Sequence, residues 1–93
     1  MIVSVKDKRV LEIAEGRLPK RFPANLAMAA ERRIRALIVA KALEDLRVPT
    51  GNRLEALRGD RAGQHSIRIN DQWRLCFSWI EDGAHDVELV DYH

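Results

Sequence analysis

The sequence predicts an α+β domain: a small, mostly antiparallel β-sheet with two N-terminal helices packed on one face, in the order β-α-α-β-β-β-β. Three observations lead there. Helical spacing of apolar residues is confined to the first half of the chain, where Gly16 and a proline-containing connector punctuate it. The second half alternates apolar and polar residues in short runs separated by turn residues. Finally, 93 residues that are 46% apolar suffice for one core, so residues 1–93 form a single domain.

Taken in order, Ile2, Val3, Ser4 and Val5 form a β-branched run that suits a first strand. Asp7 is a cap for a helix reaching about Glu15, with Val10, Leu11, Ile13 and Ala14 as its buried side and Gly16 as its stop. Arg17 to Pro23 holds two prolines and three cations and is a stiff connector. From Ala24 to Leu46 there is neither Gly nor Pro, and Ala30, Ile34, Leu37, Ile38, Lys41, Ala42 and Leu46 recur at helical spacing. This predicts a long helix of about 30 Å. Met28, Val39 and Leu43 broaden its apolar arc, while Arg32, Arg33 and Arg35 crowd the polar side.

Beyond the turn at Arg47 to Asn52, Leu54 to Leu57 suits a short strand, and Gly59 and Gly63 flank a tight loop holding Asp60 and Arg61. The runs His65 to Asn70 and Trp73 to Trp79 then read as a β-hairpin. Because strand side chains alternate, Ile67, Ile69, Trp73, Leu75, Phe77 and Trp79 share a core face, and Ser66, Arg68, Arg74, Cys76 and Ser78 share the opposite one. The last run, His85 to His93, adds Val87 and Leu89 to the core and Glu88, Val90 and Tyr92 to the arginine side. Simple alternation sets Asp91 and His93 opposite Tyr92, so bringing all three together requires a bulge, a twist or a freed last residue there.

Composition excludes several classes. No run of 18 apolar residues is present, so no membrane span is expected, and charge appears too early for a secretory signal. The lone Cys76 fits a reducing cytoplasm, and it shows with His65, His85 and His93 none of the close paired spacings of a metal site. His65 and His85, near strand starts, read as surface residues or as structural residues with satisfied hydrogen bonds. The net charge of +2 hides an asymmetry: all 16 Lys and Arg lie at or before Arg74, leaving +7 there and −5 in the last 19 residues. A basic portion of this kind suits a phosphate backbone as well as simple solubility.

The open face brings guanidinium groups beside a carboxylate, a phenol and an imidazole. Those are the parts needed to cleave a phosphodiester through a ribose 2'-hydroxyl: a base removes the proton, cations hold the phosphate, and an acid protonates the departing oxygen.

The run Gly51-Asn52-Arg53-Leu54, then Leu57-Arg58-Gly59-Asp60-Arg61-Ala62-Gly63, Ser66 to Asn70, Trp73-Arg74-Leu75 and the terminal Asp91-Tyr92-His93 resembles the HigB toxins of the RelE superfamily. The likeness is close over about the last 45 residues and one of pattern and length before that. It implies a RelE-like fold and a type II toxin: a ribosome-dependent endoribonuclease that cuts mRNA in the A site of the 70S ribosome and inhibits translation. A 2',3'-cyclic phosphate product is implied, with no cofactor. The implied partner is a HigA-type helix-turn-helix antitoxin, through which the pair contacts DNA.

Carried onto this chain, the resemblance gives Asp91, Tyr92, His93 and Arg74 to the mRNA site. His93 is the candidate acid or base, since imidazole titrates near pH 6.5. Asp91 orients it or serves as base, Tyr92 stacks on a base or bonds a phosphate, and Arg74, with Arg58, Arg61 and Arg68, holds phosphate. Glu55 stands where some HigB toxins carry a histidine important for cleavage. A glutamate can act as a base there but not as a cation at neutral pH. Two rivals stay open: a ParE-like gyrase inhibitor, although such toxins lack the terminal Asp-Tyr-His, and a non-catalytic nucleic-acid or antitoxin-binding module.

Overall fold

The computed structural model describes residues 1–92, so the role expected of His93 falls on a residue outside the described ones. Helix α1 spans Lys8–Ala14 and begins where the Asp7 side chain accepts from the backbone N–H of Arg9 at 3.0 Å. It buries Val10 and Ile13, while Leu11 and Ala14 are exposed. The expected four-residue buried side shrinks because a helix of under two turns presents only one i,i+3 pair to a neighbour.

Helix α2 spans Ala24–Val39 and buries Leu26, Ala30, Ile34 and Leu37. The sequence suggests that it continues to Leu46. It ends at Val39 because other partners claim the groups a continuing helix would use. The backbone nitrogen of Met1 donates to the carbonyls of Leu37 and Ala40 at 2.8 and 2.6 Å. The Asp45 carboxylate accepts from the backbone N–H groups of Lys41 and Ala42 and opens a 3-10 turn over Leu43–Arg47. Leu46 is buried all the same, and Leu43 packs against the core. Met28 and Val39 stay 63% and 72% exposed, so neither α1 nor the sheet absorbs the whole apolar arc.

Four strands follow: β1 Glu55–Ala56, β2 Gln64–Arg68, β3 Trp73–Ile80 and β4 Gly83–Asp91. They pair antiparallel in the order β1-β2-β3-β4. The strand expected at Leu54 to Leu57 is thus reduced to two residues. The strand expected at Ile2 to Val5 is reduced further, to isolated parallel bridges from Ile2 to Ala84 and from Val5 to Val87. The cause lies in β4, where Asp86 takes φ 54 and the register with β3 shifts between Cys76 and Ser78. A bulge there kinks the edge, and the N-terminal segment forms ladder bridges with it only on either side. At the bulge the backbone N–H of Asp86 donates to Ser4 Oγ at 2.9 Å.

The hairpin turn is tied by Asn70 Oδ1, which accepts from the backbone N–H groups of Gln72 and Trp73 at 2.9 and 2.8 Å. The core fills one side of the sheet, where Ile67, Leu75, Phe77, Val87 and Leu89 meet Val10, Ile13, Ile34 and Leu37. Trp73 and Trp79 sit at its margin, Trp73 edge-on to Phe22 at 5.7 Å between ring centroids. His65 stacks on Phe77, and its Nδ1 is buried without a hydrogen-bond partner.

Asp7 does more than cap α1. Its carboxylate also accepts from the Leu89 backbone N–H at 3.1 Å and from the Arg9 guanidinium at 2.8 to 3.2 Å. One side chain therefore joins the start of α1 to β4, two residues before Asp91. Burial pushes this carboxyl up, but the hydrogen bonds from Arg9 and from the Leu89 and Arg9 backbones outweigh it and hold the group below its ordinary value. No helix among the described residues is long and apolar enough to cross a membrane.

Candidate functional site

The side of the sheet away from the helices is a polar face built by strand register. Ser66 and Arg68 on β2 lie opposite Cys76 and Arg74 on β3, which in turn lie opposite Glu88 and Val90 on β4. Small Ser66 and Cys76 are fully buried beneath the longer side chains around them.

Arg74 is the most constrained cation here. Its Nε donates to Ser66 Oγ and a terminal nitrogen to the Arg53 carbonyl, both at 2.7 Å. That terminal nitrogen also stands 3.6 Å from Glu55 Oε1, and the Arg74 side chain is only 12% exposed. The guanidinium carbon lies 6.0 Å from the Tyr92 ring centroid. Glu55, Arg74 and Tyr92 thus form a continuous set from β1 across to the end of β4.

Tyr92 reaches the face because pairing persists past β4: its backbone N–H donates to the Gln72 carbonyl at 2.6 Å. Its hydroxyl lies 3.7 Å from Cys76 Sγ. Burial raises the Tyr92 hydroxyl above its ordinary pKa and the bond with Cys76 adds to this, while burial likewise raises the Cys76 thiol. Asp91 pairs opposite Trp73, and its carboxylate accepts from Gln72 Nε2 at 3.0 Å. The only irregularity of β4 is at Asp86, so Asp91 keeps the parity opposite Tyr92. Both nevertheless border one open depression, together with Arg58, Asp60, Arg61 and Val90.

The tight loop expected between two glycines supplies that rim. Gly59 and Gly63 take φ values of 64° and 93°, a left-handed backbone that costs glycine nothing, and Gly59–Arg61 is a 3-10 turn. From this turn Arg61 reaches down to the sheet, donating to Gln64 Oε1 at 3.1 Å and to Glu88 Oε1 at 3.3 Å. The bond with Glu88 raises the Arg61 pKa, against an opposing effect of burial. Arg68 lies beside Arg74 in the ladder but turns toward the hairpin, donating to the Asn70 carbonyl at 3.2 Å and pairing with Asp71. Its own carbonyl accepts from Arg33 Nε of α2 at 2.7 Å.

Of the residues expected to act, then, Arg58, Arg61, Asp91 and Tyr92 share the depression, Arg74 and Glu55 adjoin it through the Tyr92 ring, and Arg68 faces the turn. Glu88 and Lys6 were not anticipated. The Glu88 side chain is 15% exposed and takes both Arg61 and, at 3.4 Å, Lys6 Nζ. Strand alternation does put Glu88 on this face, but the folds of the loop and of the N-terminal segment that bring its two cations are not visible in a periodicity. Among the described residues no cluster of His, Cys, Asp and Glu is arranged to hold a metal ion.

Chemically, the face offers fixed donors for a polyanion beside carboxylates and a phenol able to exchange or orient protons. The chain is 39% identical over 85 residues, 90% of each protein, to a protein named Toxin HigB-1 from Vibrio cholerae. It is 30% identical over the full length of both proteins to one named Endoribonuclease HigB from Proteus vulgaris. Its fold is shared with crystal structures of YafQ from E. coli, with TM-scores of 0.62 for a point mutant and 0.59 for another YafQ chain. Both cover 98% of this chain and 93% of the other, at 12% and 10% identity. Residues 6–93 match the family described as the RelE-like toxin HigB of type II toxin-antitoxin systems, and the chain belongs to that family.

Proposed function

We propose that the chain is an mRNA endoribonuclease that cuts its substrate in the ribosomal A site, using the open sheet face. The observation that carries this is the convergence of Arg58, Arg61, Asp91 and Tyr92 on one depression, with Arg74 fixed beside it by Ser66, Arg53 and Glu55. An arginine already bonded on two sides meets a phosphate with little reorganisation, which is how charge developing at a scissile phosphodiester is stabilised.

In this scheme Arg74 and Arg61 hold the phosphate and Tyr92 supports a base by stacking or bonds a phosphate oxygen. Glu55 or Asp91 takes the 2'-hydroxyl proton, and His93 is the acid for the departing 5'-oxygen. A type II toxin has an antitoxin partner; a HigA-type helix-turn-helix protein fills that place here, and both act in the cytoplasm. The test is incubation of the purified protein, and of a variant lacking His93, with programmed 70S ribosomes and labelled mRNA beside naked mRNA. Cleavage on ribosomes alone, lost in the variant, supports the scheme. Folded protein that cleaves neither template would replace it with a binding or gyrase-directed role.

A further inference from the structure

We infer that Glu88 is a positioning residue, holding the Arg61 guanidinium at the rim of the depression and so setting how a phosphate is received there. The inference rests on the phosphate-binding role proposed above for that rim. Arg61 ends a three-residue 3-10 turn between two glycines with left-handed backbones, too short an element to orient a long side chain by itself. It is nonetheless tethered at both ends of its fork, NH1 to Gln64 Oε1 and NH2 to Glu88 Oε1. Those two bonds engage two of its five N–H groups and leave the others for a ligand.

Its neighbour on the rim differs. The Arg58 side chain makes no hydrogen bond or ion pair among the described residues. Of the two cations, one is therefore fixed and one is adaptable, and Glu88, together with Gln64, makes the difference.

Glu88 is suited to this because it is itself fixed. It stands on β4 opposite fully buried Cys76, its side chain is 15% exposed, and Lys6 approaches its other oxygen at 3.4 Å. Burying a carboxylate is costly unless cations surround it, so its position is tied to those of Arg61 and Lys6. Because Lys6 shares the charge of Glu88, the negative charge is not spent wholly on Arg61. The guanidinium remains attractive to a phosphate while being held still.

A double-mutant cycle of Glu88→Gln and Arg61→Ala in the ribosome-programmed cleavage assay tests this. Glu88→Gln removes a negative charge next to a polyanion site, so KM is expected to stay level or fall. Meanwhile kcat is expected to drop about tenfold. In the Arg61→Ala background, Glu88→Gln should cost nothing further. An undiminished effect in that background, or a kcat loss removed entirely by working well below the melting temperature of each variant, would overturn the inference.

If the unmodified protein does not cleave, the functional reading fails separately, and the same cycle is read in binding to a 2'-O-methyl RNA oligonucleotide. There Arg61→Ala should weaken binding more in the Glu88 protein than in Glu88→Gln, and equal losses would sink the positioning role. Should Glu88→Gln fail to fold, Lys6→Met with Glu88→Asp keeps the question open to measurement. Glu88→Asp retains the charge but shortens the reach, so its kcat should fall, and Lys6→Met, which only loosens Glu88 itself, should lower kcat by less. The opposite order of effects would overturn the proposal.

Discussion

The guanidinium carbon of Arg74 sits 6.0 Å from the centroid of the Tyr92 ring, which places the cation of the central hairpin against the last aromatic side chain of the sheet. The two are coupled by geometry as well as by charge. Arg74 cannot swing away without breaking its bonds to Ser66 and to the Arg53 carbonyl, and Tyr92 is held by its backbone bond to Gln72.

Arg74→Lys keeps the charge but loses the fork that joins Ser66, Arg53 and the ligand at once. Cleavage on programmed ribosomes should fall by about a hundredfold or more, since one fixed donor to a developing charge is worth about 2.7–4 kcal/mol. Arg74→Ala should additionally cost about 1–3 kcal/mol of stability, because Ser66 Oγ is fully buried and loses the donor it has. Urea titration beside single-turnover cleavage separates the two effects, and a lysine variant with unchanged turnover would remove Arg74 from phosphate binding.

For Tyr92, phenylalanine and alanine ask different questions. Tyr92→Phe deletes the hydroxyl that meets Cys76 Sγ but keeps the ring over Arg74. If the ring stacks on a base, Tyr92→Phe should retain most activity while Tyr92→Ala loses about 1–3 kcal/mol of RNA binding. Equal losses in both variants would assign the function to the hydroxyl instead.

Glu55→Gln should slow cleavage with little loss of fold, since Glu55 is exposed on a two-residue strand and its contact with Arg74 is largely solvated. If a carboxylate is needed there, Glu55→Asp should retain more activity than Glu55→Gln. An unaltered rate in Glu55→Gln would return this residue to a purely structural place.

Acid stability should depend on Asp7. Its carboxyl lies lower in the folded chain than its ordinary value, so it adds stability above about pH 3.9, and that contribution is lost as pH falls through the lower folded value. Asp7→Asn should therefore flatten the acid limb of stability against pH. At neutral pH, Asp7→Ala should cost about 1 kcal/mol or somewhat more for the lost cap, lowering the melting temperature by about 4–8 °C. Thermal melts followed by circular dichroism at pH 7 and in acid measure both, and parallel pH curves for native and variant proteins would exclude the role.

Much of this arrangement could be read from residue order. Alternation assigned Arg68, Arg74, Glu88 and Tyr92 to one side because one face of the hairpin is apolar and a slip of one residue would expose all of it. The glycines around Asp60 and Arg61 announced a tight loop for the same local reason. What escaped was decided by distant parts of the chain. The Leu46 end of the long helix failed because the Met1 nitrogen claims its carbonyls at Leu37 and Ala40. The first strand shrank to two bridges because the bulge at Asp86 lies on its partner and not within it. The tether from Glu88 to Arg61 crosses 27 residues, a distance over which no spacing pattern is informative.

The N-terminal segment that contacts β4 through Ala84 and Val87 also changes how the molecule meets others of its kind. A bare strand is a template on which a second polypeptide can crystallise into a ladder, and an open sheet normally has two. Here one margin is occupied by the protein's own first residues, through bonds such as Val3 N–H to the Ala84 carbonyl at 2.8 Å. The other is β1, two residues long, with the charged Arg53 and Arg58 two residues before and after it. A protein built this way offers little purchase for self-templated fibre growth.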